Sequence, residues 1–399
     1  MNNNIYKLFT IAGKPKRTVI GLMSGTSLDG LDIALCNIIG SGLNTKLDLI
    51  HFETIPYSDD FKNEVKTVFS KSEISLEKLT VLNPWIALQH AEMINTCLHK
   101  WGIDKNNIDL IASHGQTIYH APVSLHNLQN VGNATLQIGD GDHLAVATGI
   151  ITISDFRQKN IAAGGEGAPL AVYGDYLLFS KKGEDRILLN IGGIANFTFL
   201  PGNDDGNIVC TDTGPGNTLM DAFIQEQFPG RFYDTDALIA RTGVINDELL
   251  TALISDTFFS LDLPKTTGPE LFNLSYLVNA KKKSNNIILS VADTLATLNK
   301  FTAVTIATAI KNYISNKTGI KIFISGGGIY NPLLLEHLNA LLPECCFCST
   351  LETGINPDAK EAILFALLAN ECVSGSLFTF ENSTQGIIPV SMGKISFPD

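Results

Sequence analysis

Basic residues are scarce in this chain of 399 residues: 28 Lys plus Arg stand against 40 Asp plus Glu, a net charge of −12. A nucleic-acid footprint needs clustered cations, so no nucleic-acid partner is expected, and any phosphate bound here belongs to a small molecule. Long apolar runs are also missing. None approaches the roughly 18 residues of a membrane helix, and the apolar run near the N-terminus is too short and broken for a secretory signal. No membrane partner is expected. The seven cysteines lack paired C-x-x-C spacings: in the Cys345, Cys346 and Cys348 cluster the first and last are so spaced, but no second pair joins them. Reduced, buried thiols in a cytoplasmic protein are the expectation. Finally, neither G-x-x-x-x-G-K-[ST] nor a G-x-G-x-x-G between strand and helix occurs, so a Walker NTPase and a dinucleotide-binding Rossmann domain both lack their fingerprint.

What is present is an ordinary globular composition, 45% hydrophobic and 17% charged, long enough for about two domains. Val19–Asn37 reads as an apolar run, a burst of glycine, hydroxyls and aspartate, and a second apolar run. Alternation on both sides predicts a hairpin. Its turn has two readings: a surface turn of turn-forming residues, or an anion-binding nest in which Ser24, Gly25, Thr26 and Ser27 offer hydroxyls and unencumbered N–H groups. Ile187–Leu200 repeats the pattern around Gly192 and Gly193, which hints at a duplicated unit.

Past the second hairpin, Asp212 is placed at a strand end, and a Gly-Pro-Gly turn leads into a helix with Asn217 as N-cap. Ile322–Leu342 reads as a buried strand, the glycines Gly326, Gly327 and Gly328, and a helix that Pro332 opens. Further helical patterns cover Trp85–Trp101, Thr302–Ile314 and Ala359–Asn370. Strands alternating with helices make the class α/β. His114, His120 and His126 recur every six residues, but no carboxylate or cysteine joins them at ligand spacing, and they are not read as a metal site.

Two glycine hairpins plus a strand, triple glycine and helix are the parts of the actin, hexokinase and Hsp70-like ATPase fold. The strings GLMSGTSLDGLDIAL, ASHGQTIYH, DFRQKNIAAGGEGAPL, LNIGGIANFT, DTGPGNTLMDAF, PKTTGPELFN, SGGGIYNP and PDAKEAILFALLA, in that order from about Val19 to Asn370, closely resemble the anhydro-N-acetylmuramic acid kinase family. The resemblance implies two domains built on duplicated ribonuclease H-like units, drawn here as residues 1–153 with 375–399 and 154–374, with ligands in an interdomain cleft that closes on them. It implies a cytoplasmic enzyme of peptidoglycan recycling, using ATP and Mg²⁺. Water would open the anhydro bridge at C1 while O6 takes the γ-phosphoryl group, giving N-acetylmuramic acid 6-phosphate. Oligomeric state stays open, a homodimer being compatible.

By the same resemblance Asp212 is the general base. Ser24, Gly25, Thr26, Ser27 and Asp29 line the first phosphate hairpin, Gly192 and Gly193 the second, and Gly326, Gly327 and Gly328 pass the adenosine. Asp29 holds Mg²⁺ through water or bonds its own backbone as a turn aspartate. The two later glycine sets also fit a plain tight turn and a helix entry. Gln116, Thr117, Asp155 and Arg157 supply donors and acceptors to the sugar. Arg157 either forks onto a carboxylate such as the lactyl group or pairs with Asp155. Glu361 is a substrate-side residue or a surface charge beside Lys360.

Two departures from the family's usual strings bear on substrate contact: Pro269 stands where the family form K-S-T-G-R-E has arginine, and Glu166 replaces the glutamine of GGQGAP. Two rival functions remain. A kinase of the same fold acting on a free hydroxyl or acyl group would put no solvent oxygen into its product. A nucleotide-binding protein without turnover has no need of an intact Asp212.

Overall fold

The computed structural model describes residues 2–126, 128–167, 170–202, 208–285, 288–314, 317–349, 356, 358–375 and 390–399. Ala168 and Pro169 of the GGEGAP string, Pro357 of the PDAK string and most of the segment 375–399 lie outside the described residues. The chain forms two compact units, Met1–Leu178 with Asp358–Asp399, and Phe179–Pro357.

The first unit opens with an antiparallel meander of β1 (Lys16–Ser24), β2 (Gly30–Ile39) and β3 (Lys46–Pro56). The expected first hairpin is therefore present, with Ser24 opposite Leu31. β4 (Leu110–Ala121) runs parallel to β1, β5 (Ala134–Ile138) pairs antiparallel with β4, and β6 (Thr152–Ser154) runs parallel to β4. The sheet order is β12-β6-β4-β1-β2-β3, where β12 is the late strand Lys394–Ser396.

Val19 to Leu22 are buried on both faces of β1 rather than alternating between core and solvent. On one face Ile20, Leu22, Leu31, Ile33 and Leu35 pack with Leu82, Ile86 and Ile94 of the helix Leu76–Trp101. On the other lies the helix Lys360–Ser374, so close that a Cβ on Gly21 would sit 1.9 Å from the Ala362 carbonyl oxygen. Only glycine permits that approach. Because this last helix covers β1, β2 and β4, it belongs to the first unit, and so does the helix Phe156–Ala162, which packs on β5. The divisions drawn from the sequence at 153/154 and 374/375 thus differ from the compact units.

The helix expected from Trp85 begins at Leu76, capped by Ser75 Oγ accepting from Lys78 N–H at 3.2 Å, and runs through Pro84. Leu79 and Leu82, upstream of the proline, contact the same core, and that burial outweighs the lost backbone bond.

The second unit repeats the topology with β7 (Arg186–Ile191), β8 (Ile194–Leu200), β9 (Val209–Pro215), β10 (Lys321–Ser325) and β11 (Cys346–Ser349) in the order β11-β10-β7-β8-β9. β7 to β9 form an antiparallel meander; β10 is parallel to β7 and to β11. Ile187, Leu189, Ile322 and Ile324 pack against Ile306 and Ile310 of the helix Val291–Ile314 and Leu334 and Leu338 of the helix Pro332–Leu341. Both sheets share one plan, a three-stranded antiparallel meander whose first strand is followed by two parallel strands: β3-β2-β1-β4-β6 in the first unit and β9-β8-β7-β10-β11 in the second, so the duplication hinted at by the two hairpins is a property of the fold.

None of the seven cysteines forms a disulfide among the described residues, and Cys36 and Cys97 are the buried ones. The remaining five are not the buried thiols expected: Cys346 is exposed on β11, the edge strand of its sheet among the described residues. Among the described residues no helix is long and apolar enough to cross a membrane.

Candidate functional site

In the first unit the Ser24–Asp29 loop joins β1 to β2. Leu28, with φ 60°, turns inward and is buried in the core, while Thr26, Ser27 and Asp29 are exposed. The Leu28 N–H donates to the Gly25 carbonyl at 3.4 Å, whereas the N–H groups of Gly25, Thr26 and Ser27 have no acceptor among the described residues. A Cβ on Gly25 would meet nothing closer than Ser27 Oγ at 3.5 Å, and its φ is not left-handed. Neither packing nor turn geometry demands this glycine. The loop thus has the free donors and bare backbone of an anion nest.

Ser24 does not share in that. It is buried, its hydroxyl bonded to Tyr57 OH at 2.7 Å and to Gln116 Oε1 at 2.5 Å. Gln116, expected at the sugar, is fully buried with its amide engaged by Ser24 and the carbonyls of Gly25 and Thr117. Asp29 makes no side-chain hydrogen bond among the described residues, so it is not the turn aspartate of the alternative reading. Burial pushes the Asp32 carboxyl up, and Asp358 and Asp29 add to the effect. No group of three metal-ligating side chains stands together among the described residues. Asp29 presents an exposed carboxylate beside the unbonded N–H groups of the loop.

Thr117 lies at a register shift between β4 and β5, its Oγ1 accepting from Gln137 at 3.2 Å. Asp155 and Arg157 have different partners. Asp155, at φ 56°, pairs with Lys394 at 2.8 Å. Arg157 donates from Nε to His114 Nε2 at 2.9 Å and from Nη1 to the Gly167 carbonyl at 2.7 Å, and the alternative ion pair with Asp155 is not formed among the described residues. His114 is buried against Phe365 and held neutral, its pKa pushed down to about 3 by burial and by Arg157. Because Nε2 accepts, Nδ1 carries the proton, and it is buried without a partner. Glu361 retains solvent access, yet its carboxyl sits in a dense surround that raises its pKa, with Asp32 adding and Lys360 and Arg157 opposing. Lys360 itself pairs with Asp175 at 2.7 Å, so Glu361 is not its surface partner.

In the second unit the Gly192–Gly193 turn is locked to the following helix, Thr218–Gln227, by carbonyls: Gly192 O accepts from Asn217 N–H at 2.8 Å, and Gly193 O from Gly216 at 2.8 Å and Thr218 at 3.1 Å. Their own N–H groups have no acceptor among the described residues. Asn217 therefore occupies the N-cap without a side-chain cap bond, giving its Nδ2 to the Ile191 carbonyl instead. Cβ atoms on Gly192 and Gly193 would find only ordinary contacts, at 3.6 and 3.9 Å. The triple glycine divides differently. Gly326, with φ 84°, would place a Cβ 2.7 Å from the Ile191 carbonyl oxygen, and Gly328 would place one 2.3 Å from Ile191 Cγ2, so packing on β7 explains both. Gly327 alone is open, nearest Asn217 Nδ2 at 3.5 Å.

Asp212 lies within β9, not at its end, beside a register shift against β8. The segment Lys265–Glu270 runs along it: Asp212 N–H donates to Lys265 O at 2.9 Å, and Thr267 N–H donates to Asp212 Oδ2 at 2.8 Å. Oδ1 has no hydrogen bond among the described residues. Burial raises the carboxyl's pKa, the Thr267 bond opposes, and Glu270 adds to the rise. One oxygen is fixed and the other open, the geometry of an oriented proton acceptor. Asp221, in the first turn of the next helix, escaped the sequence reading. Burial pushes its pKa up to about 6, and its local signal was only an acidic residue three after Thr218.

Two sheets of one plan, bare-backbone turns at the β1–β2 and β7–β8 hairpins, and a carboxylate on β9 agree with the two-unit α/β ATPase fold class expected from the sequence. A family model described as Anhydro-N-acetylmuramic acid kinase matches residues 17–398. A protein named anhydro-N-acetylmuramic acid kinase from Pseudoalteromonas translucida (strain TAC 125) is 55% identical, covering 100% of both chains. One of the same name from Caldanaerobacter subterraneus subsp. tengcongensis is 38% identical, covering 98% of this chain and 99% of its own. The chain belongs to the anhydro-N-acetylmuramic acid kinase family.

Proposed function

We propose that this kinase opens 1,6-anhydro-N-acetylmuramic acid with water and transfers the γ-phosphoryl group of ATP to O6, giving N-acetylmuramic acid 6-phosphate and ADP. The observation that carries the proposal is Asp212, a half-buried carboxylate with one oxygen held by Thr267 N–H and the other unbonded among the described residues. Asp212 takes a proton from the water whose oxygen bonds to C1. As the C1–O6 bond breaks, its electron pair goes to O6, which attacks the γ phosphorus; the bond to the β,γ-bridging oxygen breaks and ADP leaves.

The free N–H groups of Gly25, Thr26, Ser27, Gly192 and Gly193 receive triphosphate oxygens. Gly327 gives the adenosine an unobstructed backbone. Mg²⁺, with Asp29 reaching it through water, would offset the charge of the triphosphate. Thr117, Arg157 and Glu361 face the sugar; the guanidinium edge not bonded to His114 or Gly167 suits the lactyl carboxylate. The expected setting is cytoplasmic reuse of cell-wall fragments.

Asp212→Asn preserves shape but cannot accept the proton. Loss of a positioned base costs about 10² to 10⁴ in rate, so the variant should bind ATP and sugar by calorimetry and turn over at most about a hundredth as fast. Near-native turnover would assign the base elsewhere.

A further inference from the structure

Beneath the Ser24–Asp29 loop four buried polar side chains form one hydrogen-bonded chain. His90 Nε2 lies 2.9 Å from Tyr57 OH, which lies 2.7 Å from Ser24 Oγ, which lies 2.5 Å from Gln116 Oε1. They are 1%, 3%, 2% and 0% exposed. They come from the helix Leu76–Trp101, the residue after β3, the end of β1 and β4. Burying so many polar groups is costly unless each is paired, and an apolar core would have served the sheet alone.

The direction of the chain follows from its far end. Gln116 Nε2 lies 3.3 Å from the carbonyls of both Gly25 and Thr117. Carbonyls only accept, so the amide nitrogen faces them and Oε1 faces Ser24. Ser24 therefore donates to Gln116, Tyr57 donates to Ser24, and His90 carries its proton on Nε2. Every donor points toward the loop, an arrangement in which each bond polarises the next. A second tie, Tyr57 N–H to the Asp29 carbonyl at 3.2 Å, holds the other end of the loop.

The Gly25 carbonyl, accepting from Gln116 and from Leu28 N–H, is thus turned inward. Its peptide bond is trans, and in a trans peptide the following N–H points the opposite way. The Thr26 N–H faces out. We infer that His90 and Tyr57 are positioning residues for the nucleotide: through Ser24 and Gln116 they fix the Gly25–Thr26 peptide so that its N–H is presented to a phosphate oxygen. This rests on the proposal that the loop holds the triphosphate of ATP.

Steady-state kinetics combined with hydrogen exchange of residues 24–29, measured with and without a nonhydrolysable ATP analogue, tests both layers. In the native enzyme the analogue should slow exchange across the loop. Tyr57→Phe and His90→Leu should raise KM for ATP roughly tenfold, the scale of one hydrogen-bonded contact. They should leave kcat and sugar KM within about twofold and exchange the loop faster without nucleotide. His90→Gln, whose amide can still donate to Tyr57, should restore both readouts. If the analogue protects the native loop but Tyr57→Phe keeps native KM and exchange, the inference is overturned while the loop assignment stands. If the native loop is not protected, both fall. Should Tyr57→Phe not fold, the two His90 variants decide: equal KM in His90→Leu and His90→Gln overturns the inference.

Discussion

Alanine at Gly193 and at Gly328 should have opposite consequences. At Gly193 the nearest atom to a new Cβ is Thr218 Cβ at 3.9 Å, and the backbone is outside the left-handed region. The fold should accept it with a stability change within about 1 kcal/mol, on the favourable side because the unfolded chain loses freedom. At Gly328 the new Cβ would lie 2.3 Å from Ile191 Cγ2, and Ile191 is fully buried. Overpacking of this kind costs about 1–3 kcal/mol, or roughly 2–12 °C in Tm at about 2–4 °C per kcal/mol. Nucleotide binding should respond in reverse. A charge-assisted bond from backbone N–H to phosphate is worth about 1.5–3 kcal/mol, so a Cβ that holds the phosphate off the turn should raise KM for ATP about 10- to 100-fold in Gly193→Ala. Calorimetric unfolding and ATP titration of both variants read the two effects separately. A folded Gly193→Ala with native KM for ATP would refute the reasoning that an unforced glycine marks the ligand's approach.

Stability should fall on acidification partly through His90, which is buried and neutral with its pKa pushed down from 6.5 to about 4. The unfolded chain protonates it near its ordinary value and the folded chain only near the lower one, so the unfolded state binds more protons between them and stability drops as pH falls through that window. Urea unfolding of His90→Gln should show a shallower loss over the same range; an unchanged slope would count against the burial argument. Arg157→Lys removes the planar fork while keeping the charge. Sugar KM should rise about tenfold with ATP KM unchanged, and an effect on ATP alone would contradict the sugar assignment.

Much of the frame was legible because it is written locally. Both glycine hairpins, the helix opened by Pro332 with Asn331 accepting from Leu334 N–H at 3.0 Å, and the strand carrying Asp212 follow from runs of a few residues. What escaped depends on distant partners. Ser24 and Gln116 read as polar groups at ligand-facing positions, and nothing nearby in sequence says that Tyr57 and His90 draw them inward. The helix from Leu76 is legible only from Trp85 onward because the packing of Leu79 and Leu82 on the shared core is a tertiary fact. The boundary drawn from the sequence differs from the compact units for the same reason: the helix Lys360–Ser374 follows the second sheet in sequence but lies on the first. The triple glycine read as one nucleotide surface, whereas contact with Ile191 accounts for two of its members.

Turnover in ¹⁸O-labelled water tests the central claim most directly. With ATP and 1,6-anhydro-N-acetylmuramic acid, mass spectrometry of the product should find one labelled oxygen on C1 and none in the phosphate, because in the proposed reaction Asp212 directs water to C1 while O6 of the sugar becomes the phosphate ester oxygen. Label in the phosphate group, or a phosphorylated sugar without label at C1, would contradict it.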